Sequence, residues 1–358
     1  MTRARLLVLS TWLLNVVFGV LGATLVAQRS GAPALYFPNA SGPWETVSPE
    51  SAGWNAQALD EALAYAQHVN SSGVVIAYNG RILAERYWQP AAARRAGSTT
   101  EGWPIEDVAS LQKSVISLMV GIAVEHGLVD RTAPVSKYLG AGWSKAPADA
   151  EAKITINHLL TMTSGLTEPL EFEAAAGTRW FYNTPAYSRL ITVLASATHK
   201  EPNDYTAEWL THRLGMTDTR WIKREGAGSA VNPYGLATTA RDLARIGILV
   251  LSGGMWKGDR IINEAYVREM VQPSQQLNPS YGLLWYANRP VPPAIQRQPH
   301  LSIPVAPADL VAGQGAGERR IWALPSQRLV VTRLGAPAPG IDAEFWAKLM
   351  KAAPRRSN

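Results

Sequence analysis

Residues 114–124 form a helical pattern with almost no polar side: Val115, Ile116, Leu118, Met119, Val120, Ile122, Ala123 and Val124 leave little room for anything that likes water. A helix hydrophobic all round has to sit at the centre of a folded unit. The run opens with Ser110-Leu111-Gln112-Lys113 and stops at His126-Gly127, and Lys113 is its only charge before Glu125. A lysine in the first turn of a buried helix needs an explanation, because an unpaired buried charge is costly. Positions i and i+3 share a helix face, so the Lys113 amine can hang beside the Ser110 hydroxyl and take its proton. At the positive end of the helix dipole Ser110 also exposes a backbone N–H as an oxyanion donor. Burial lowers a lysine pKa and so turns the amine into a base near neutral pH. The spacing alone is equally that of a capping serine followed by a lysine whose head reaches the surface.

The chain has 358 residues, 47% hydrophobic and 17% charged, with 13 Trp, which describes a globular protein of one or two domains. Its net charge of +6 comes from 34 basic and 28 acidic residues scattered among one another; without Arg3 and Arg5 it would be 6 − 2 = +4. No basic run interleaved with aromatics appears, which excludes a nucleic-acid partner. Residues 6–27 carry no charge, follow Arg3 and Arg5, and precede a Pro/Gly/Ser-rich stretch at 30–43. This reads as a signal peptide or membrane anchor over residues 1–29, with Leu25-Val26-Ala27 a poor cleavage site. The rest is then expected to be exported, periplasmic or anchored, touching the membrane only through that segment. Cysteine is absent, which rules out thiol catalysis and cysteine-based metal sites.

Asn79-Gly80 lies between two strand-like runs, 73–78 and 81–88, and predicts a hairpin. Residues 320–324 and 328–333 are again strand-like, joined by Pro325-Ser326-Gln327, and a helix over 342–351 closes the chain. Helical patterns cover 59–69, 110–125, 156–162, 184–197 and the stretch from a Thr238 or Thr239 cap to Ile246, with Asp242 placed for a capping box. The expected organisation is an extension over 30–53, an α/β sheet domain from 54–95 plus 276–358, and a helical domain over 96–275 that carries Ser110.

The run from Val108 to Leu128 resembles the nucleophile helix of serine β-lactamases and penicillin-binding proteins, most of all the branch with class C β-lactamases, family VIII-type esterases and 6-aminohexanoate-dimer hydrolases. Ile154–Leu166, Tyr182-Asn-Thr-Pro-Ala-Tyr187, Leu214–Thr219 and Tyr234–Leu243 resemble further motifs of that family, in its order. The resemblance covers about residues 54–335. It implies a β-lactamase-like α/β fold: an antiparallel sheet built from both chain ends, flanked by helices, with a mainly helical insertion. It implies catalysis by Ser110 as nucleophile and Lys113 as base, with Tyr182 relaying the proton while Lys113 holds down its pKa. Tyr187 competes for the last role, but its place inside a helical pattern suggests packing. Thr184 stands where the family carries Asn, with fewer donors to offer.

The family's Lys-Thr-Gly or His-x-Gly element is missing; its place falls on Gly313-Gln314-Gly315, which has no cation, although this stretch also reads as a plain Gly-rich turn. Gln314 and the backbone N–H groups of Gly315, Ala316 or Gly317 are the candidate substrate and oxyanion contacts. The lost cation argues against efficient recognition of a β-lactam carboxylate. The resulting expectation is a cofactor-free serine hydrolase acting on a small ester or amide, with a β-lactamase or D-Ala-D-Ala peptidase as the alternative. A membrane-tethered binding protein of the same fold without turnover is the reading from another class. His158 is read as structural, since the six histidines lack metal-ligand spacing. Asp218 and Asp242 read as turn and cap residues. Trp103, Trp180, Trp285 and Trp322 could line an apolar pocket, with core packing the default.

Overall fold

Asn79 and Gly80 both take positive φ, 50° and 82°, the conformation a two-residue hairpin turn requires, and join strands Ser71–Tyr78 and Arg81–Tyr87. The computed structural model describes residues 34–89 and 95–354. The 1–29 segment therefore lies outside the described residues. Among those described, no helix is long and apolar enough to cross a membrane.

Six antiparallel strands form the main sheet in the order Arg81–Tyr87, Ser71–Tyr78, Leu329–Gly335, Arg319–Leu324, Val311–Gly315, Tyr286–Ala287. The two ends of the chain meet at its middle, where Val75 faces Thr332. Leu329–Gly335 is buried along its whole length, as a strand covered on both faces must be. On one face lie Ala56–His68 and Ile341–Ala352, with Trp322 stacked on Phe345 and edge-on to Trp346. The other face receives Ala240–Leu251, whose Gly247 lies directly over Val330. Alternation along the strand sends Val330 and Val331 to opposite faces, which is how one sheet serves both layers.

A second sheet runs Arg95–Ser98, Pro104–Asp107, Tyr234–Thr238, Arg220–Lys223 and delivers the chain into the 3-10 turn Ala109–Leu111 and helix Gln112–Glu125. All but two residues of that helix, Val124 and Glu125, are buried, as its unbroken apolar pattern requires. Ser110 stands on the 3-10 turn rather than in the α-helix, because the backbone turns sharply at Ala109. Helix Ala240–Leu251 outlasts the expected end at Ile246 and runs on through Gly247, whose lack of a side chain lets the helix lie against Val330 of the sheet. Thr239 caps it, but the Asp242 carboxylate turns to Thr219 and the Asp218 N–H instead of completing a capping box. The four tryptophans do not share a pocket: Trp103 stacks on Tyr87, Trp180 meets Tyr281 edge-on, Trp285 donates to the Ser114 carbonyl and Trp322 lies in the sheet core. Trp180, Trp285 and Trp322 are buried, while Trp103 is half-buried.

Gly121 sits where Tyr266 crosses the buried helix; a Cβ there would lie 2.5 Å from the Tyr266 ring and 2.6 Å from Ile262. Gly121→Ala should therefore destabilise the protein by about 1–2 kcal/mol, overpacking outweighing the better helix propensity of alanine. Urea unfolding should show a lower midpoint at unchanged slope.

Candidate active site

Ala109 has φ of 52°, in the left-handed region that L residues avoid, and this bend lifts Ser110 out ahead of the helix. The Asp107 carboxylate holds the bend by accepting the Ala109 N–H at 2.9 Å. Asp107 is itself clamped by Arg224, whose Nε and Nη2 each donate at 2.8 Å. Ser110 is half-buried, and the Tyr182 and Tyr187 phenols both lie near its side chain.

Lys113 is fully buried one turn behind Ser110. Its Nζ donates to the Ser110 carbonyl at 3.1 Å and to the Gln314 carbonyl at 2.9 Å, and lies 5.2 Å from the ring centres of Tyr182 and Tyr286. Burial, assisted by the Arg320 guanidinium, pulls its pKa down to about 7. The amine is thus half deprotonated at neutral pH, as a base should be.

The strand Val311–Gly315 approaches the head of the nucleophile helix as closely as backbones can. A Cβ on Gly315 would lie 2.2 Å from the Val108 carbonyl and 2.9 Å from the Leu111 N–H, and one on Gly313 would meet Ser114 Oγ at 2.9 Å. Gly313-Gln314-Gly315 is therefore strand and not a Gly-rich turn, its glycines needed for close approach. Arg320 steadies it from behind, donating to the Gly315 carbonyl at 3.0 Å while paired with Asp342 at 3.1 Å. Arg319 pairs with Glu106 at 2.7 Å, and Arg333 donates to the Gly317 carbonyl at 2.8 Å. Ala316 is exposed at the end of this strand.

Tyr182 reaches the site from just before helix Thr184–Thr198. Asn183 fixes that approach: its Oδ1 accepts the Ala186 N–H at 3.0 Å, and its Nδ2 donates to the Leu166 and Thr167 carbonyls at 2.9 Å each. Burial raises the Tyr182 pKa, opposed by hydrogen bonding to Ser110 and Thr184. The phenol is therefore neutral at rest, and Lys113 is absent from the groups that shift it. Lys113 faces the ring rather than the hydroxyl, so the expected electrostatic hold on Tyr182 is not made. Thr184 does meet Tyr182. Tyr187 is buried as packing would have it, and its hydroxyl meets the Asn232 carboxamide at 3.2 Å, which the helical pattern could not reveal.

His158 completes a capping box with Thr155, the structural part expected of it. Among the described residues no cluster of three or more His, Cys, Asp or Glu could hold a metal. The sequence reading missed Asp107, Gln112, Arg224 and Asn232. Gln112 lies inside the Ser-x-x-Lys spacing and could have been noticed; the others are brought in by the second sheet and leave no local signal.

A serine on a strained turn, a buried lysine one turn behind it, a tyrosine from just ahead of a second helix and a glycine-flanked strand make up the candidate site. The β-lactamase family profile matches residues 55–340, and the chain belongs to that family. An uncharacterized protein of Alkalihalophilus pseudofirmus is 27% identical over a match that covers 61% of this chain and 70% of its own. Among solved structures, a protein assigned as a β-lactamase from Bacteroides dorei superposes with a TM-score of 0.66 at 17% identity, over 85% of this chain and 100% of its own. One assigned as a 6-aminohexanoate-dimer hydrolase from Bacillus anthracis gives 0.63 at 16%, over 88% and 87%. A β-lactamase/D-alanine carboxypeptidase from Yersinia pestis gives 0.61 at 17%, over 83% and 96%. At these identities the structures establish the β-lactamase-like fold.

Two outcomes follow. With Lys113 active as the free amine, kcat/KM for a neutral ester should rise tenfold per pH unit below about pH 7 and level off above it. Lys113→Arg, charged at every accessible pH, should lose that activity. Gly315→Ala should lower kcat/KM by about 100-fold, because its Cβ drives the strand off the helix head and displaces the Gln314 carbonyl from Lys113. Steady-state kinetics beside circular dichroism separate this loss from unfolding.

Proposed function

We propose that this protein is a serine hydrolase that cleaves ester or small amide bonds through an acyl-enzyme on Ser110. The observation that carries the reading is the buried Lys113, held between Ser110 and the Gln314 strand with two backbone carbonyls as its hydrogen-bond partners. Ser110 Oγ adds to the substrate carbonyl as its proton passes to the Lys113 amine one turn behind it. The tetrahedral adduct collapses, the bond to the leaving alcohol or amine breaks, and that group takes the proton back, shuttled across the site by the Tyr182 hydroxyl. Water then adds to the acyl carbon by the same route, releases the acid and restores the Ser110 hydroxyl. Backbone N–H groups of Ser110 and of the Gly315 to Gly317 turn are the proposed oxyanion donors.

The preference for neutral substrates rests on the arginines nearest the Gln314 strand. Arg319, Arg320 and Arg333 are buried and engaged with Glu106, Asp342 and backbone carbonyls, so none is offered to a substrate carboxylate. This ranks esterase or small-amide hydrolase above β-lactamase or D-Ala-D-Ala peptidase. Export, to the periplasm or to a membrane anchor, is proposed from residues 1–29 alone.

Protein lacking residues 1–29 should react with a fluorophosphonate probe and turn over short-chain aryl esters faster than a cephalosporin, and Ser110→Ala should do neither. Wild type that neither labels nor hydrolyses any ester, amide or β-lactam would leave the fold with a binding role only.

A further inference from the structure

Strand Tyr234–Thr238 of the second sheet has a charged residue reaching over it from each side. Asp107 ends strand Pro104–Asp107 on one edge, and Arg224 follows strand Arg220–Lys223 on the other. They meet over Gly235, where a Cβ would lie 2.9 Å from both Cγ and Oδ2 of Asp107 and 3.1 Å from Arg224 Nε. Gly235 lies in extended strand, so its backbone asks for no glycine; what requires one is the passage of the guanidinium. Through that gap Arg224 makes three short contacts. Its Nε donates to Asp107 Oδ2 at 2.8 Å, and its Nη2 donates to Asp107 Oδ1 at 2.8 Å and to Oε1 of the fully buried Gln112 at 2.9 Å. The two hydrogens of Nη2 thus go to residues on opposite sides of Ser110. Asp107 Oδ1 in turn accepts the N–H of Ala109, the residue held at φ of 52°.

We propose that Arg224 is a positioning residue for the nucleophile: reaching over Gly235, it staples Asp107 to Gln112 and so holds the strained turn that presents Ser110. The proposal rests on the serine-hydrolase reading above. Arg224 acts through its two partners and not on the reacting atoms. Released, an alanine at position 109 would relax toward negative φ, and Ser110 would turn with it. A carboxylate held only by the Ala109 N–H is free to rotate. The fork of Arg224 fixes its plane, and the Gln112 contact ties that plane to the first residue of helix Gln112–Glu125. Lysine at position 224 supplies the charge but not the fork. The strain itself provides a control, because glycine adopts φ of 52° freely, so with Ala109→Gly the turn no longer needs the staple.

The test measures fluorophosphonate labelling rate, aryl-ester burst and steady-state constants on the full chain. It compares wild type, Arg224→Lys, Gly235→Ala, Ala109→Gly and the two combinations with Ala109→Gly, each checked by near-UV circular dichroism and thermal midpoint. Arg224→Lys keeps a cation beside Asp107, and the proposal expects labelling and acylation to slow about 10- to 100-fold with KM within about threefold of wild type. Gly235→Ala, which leaves Arg224, Asp107 and Gln112 in place but closes the gap, should slow them similarly. In the Ala109→Gly background either substitution should slow labelling by less than about threefold. The rise of activity through about pH 7 should keep its midpoint in every variant, since the Lys113 contacts are untouched. A folded Arg224→Lys that labels within about twofold of wild type overturns the proposal; if that variant does not fold, Gly235→Ala decides by the same criterion. Losses that persist in full beside Ala109→Gly also overturn it, because they mark a general loosening of the sheet, and so does a shifted pH midpoint, which places the effect on Lys113. Wild type that fails to label at all overturns the hydrolase reading, and this proposal with it.

Discussion

The contact between Lys113 Nζ and the Gln314 carbonyl, 2.9 Å long and partly buried, is the constraint around which the molecule is arranged. It joins the head of a helix with no polar face to a strand of the main sheet. To form it the two backbones must nearly touch, which only Gly313 and Gly315 allow. It also gives a buried lysine two carbonyls to donate to, one of them Ser110's own, so that the amine is satisfied without a counter-ion. Had a carboxylate been supplied, the ammonium would have been held and the base lost. Arg320 pushes the other way, a second cation whose own charge is balanced by Asp342 on the far side of the strand.

Three ion pairs, one buried and two partly buried, then fix the parts that this contact brings together. Arg319–Glu106 ties the main sheet to the strand that leads into the nucleophile, and Arg320–Asp342 ties it to the C-terminal helix. Arg224–Asp107 sits beneath the bend at Ala109. Buried ion pairs add little to net stability when compared with apolar packing of the same volume. What they supply here is orientation: each guanidinium fork accepts one geometry, and a strained φ at Ala109 persists only where its surroundings enforce it.

Much of the fold was legible because periodicity and turn chemistry act locally. Asn79-Gly80 announces its hairpin, the apolar run after Lys113 announces a central helix, and the strand pair around Pro325 is visible from its β-branched residues. Departures came where tertiary contacts overrode local signals. Gly313 and Gly315 look like turn residues but serve as gaps between backbones. Asp242 has the spacing of a capping box, yet Thr219 and the Asp218 N–H compete successfully for its carboxylate. The tryptophans carry no mark of which layer they will fill.

By itself the sequence placed Ser110 and Lys113 within one turn of each other, since i, i+3 spacing in a helical segment is a property of the backbone, and it determined that this helix is buried, since no face of it suits water. It could show that Tyr182 and Tyr187 were both available, but not what each does. Only the tertiary structure decided which groups meet them, by bringing Asn232 from 45 residues beyond Tyr187 to the Tyr187 hydroxyl and by setting Lys113 against the Tyr182 ring. Hydrogen-bond direction is a property of the partners on both sides of a group, and those partners are far apart in the chain until it folds.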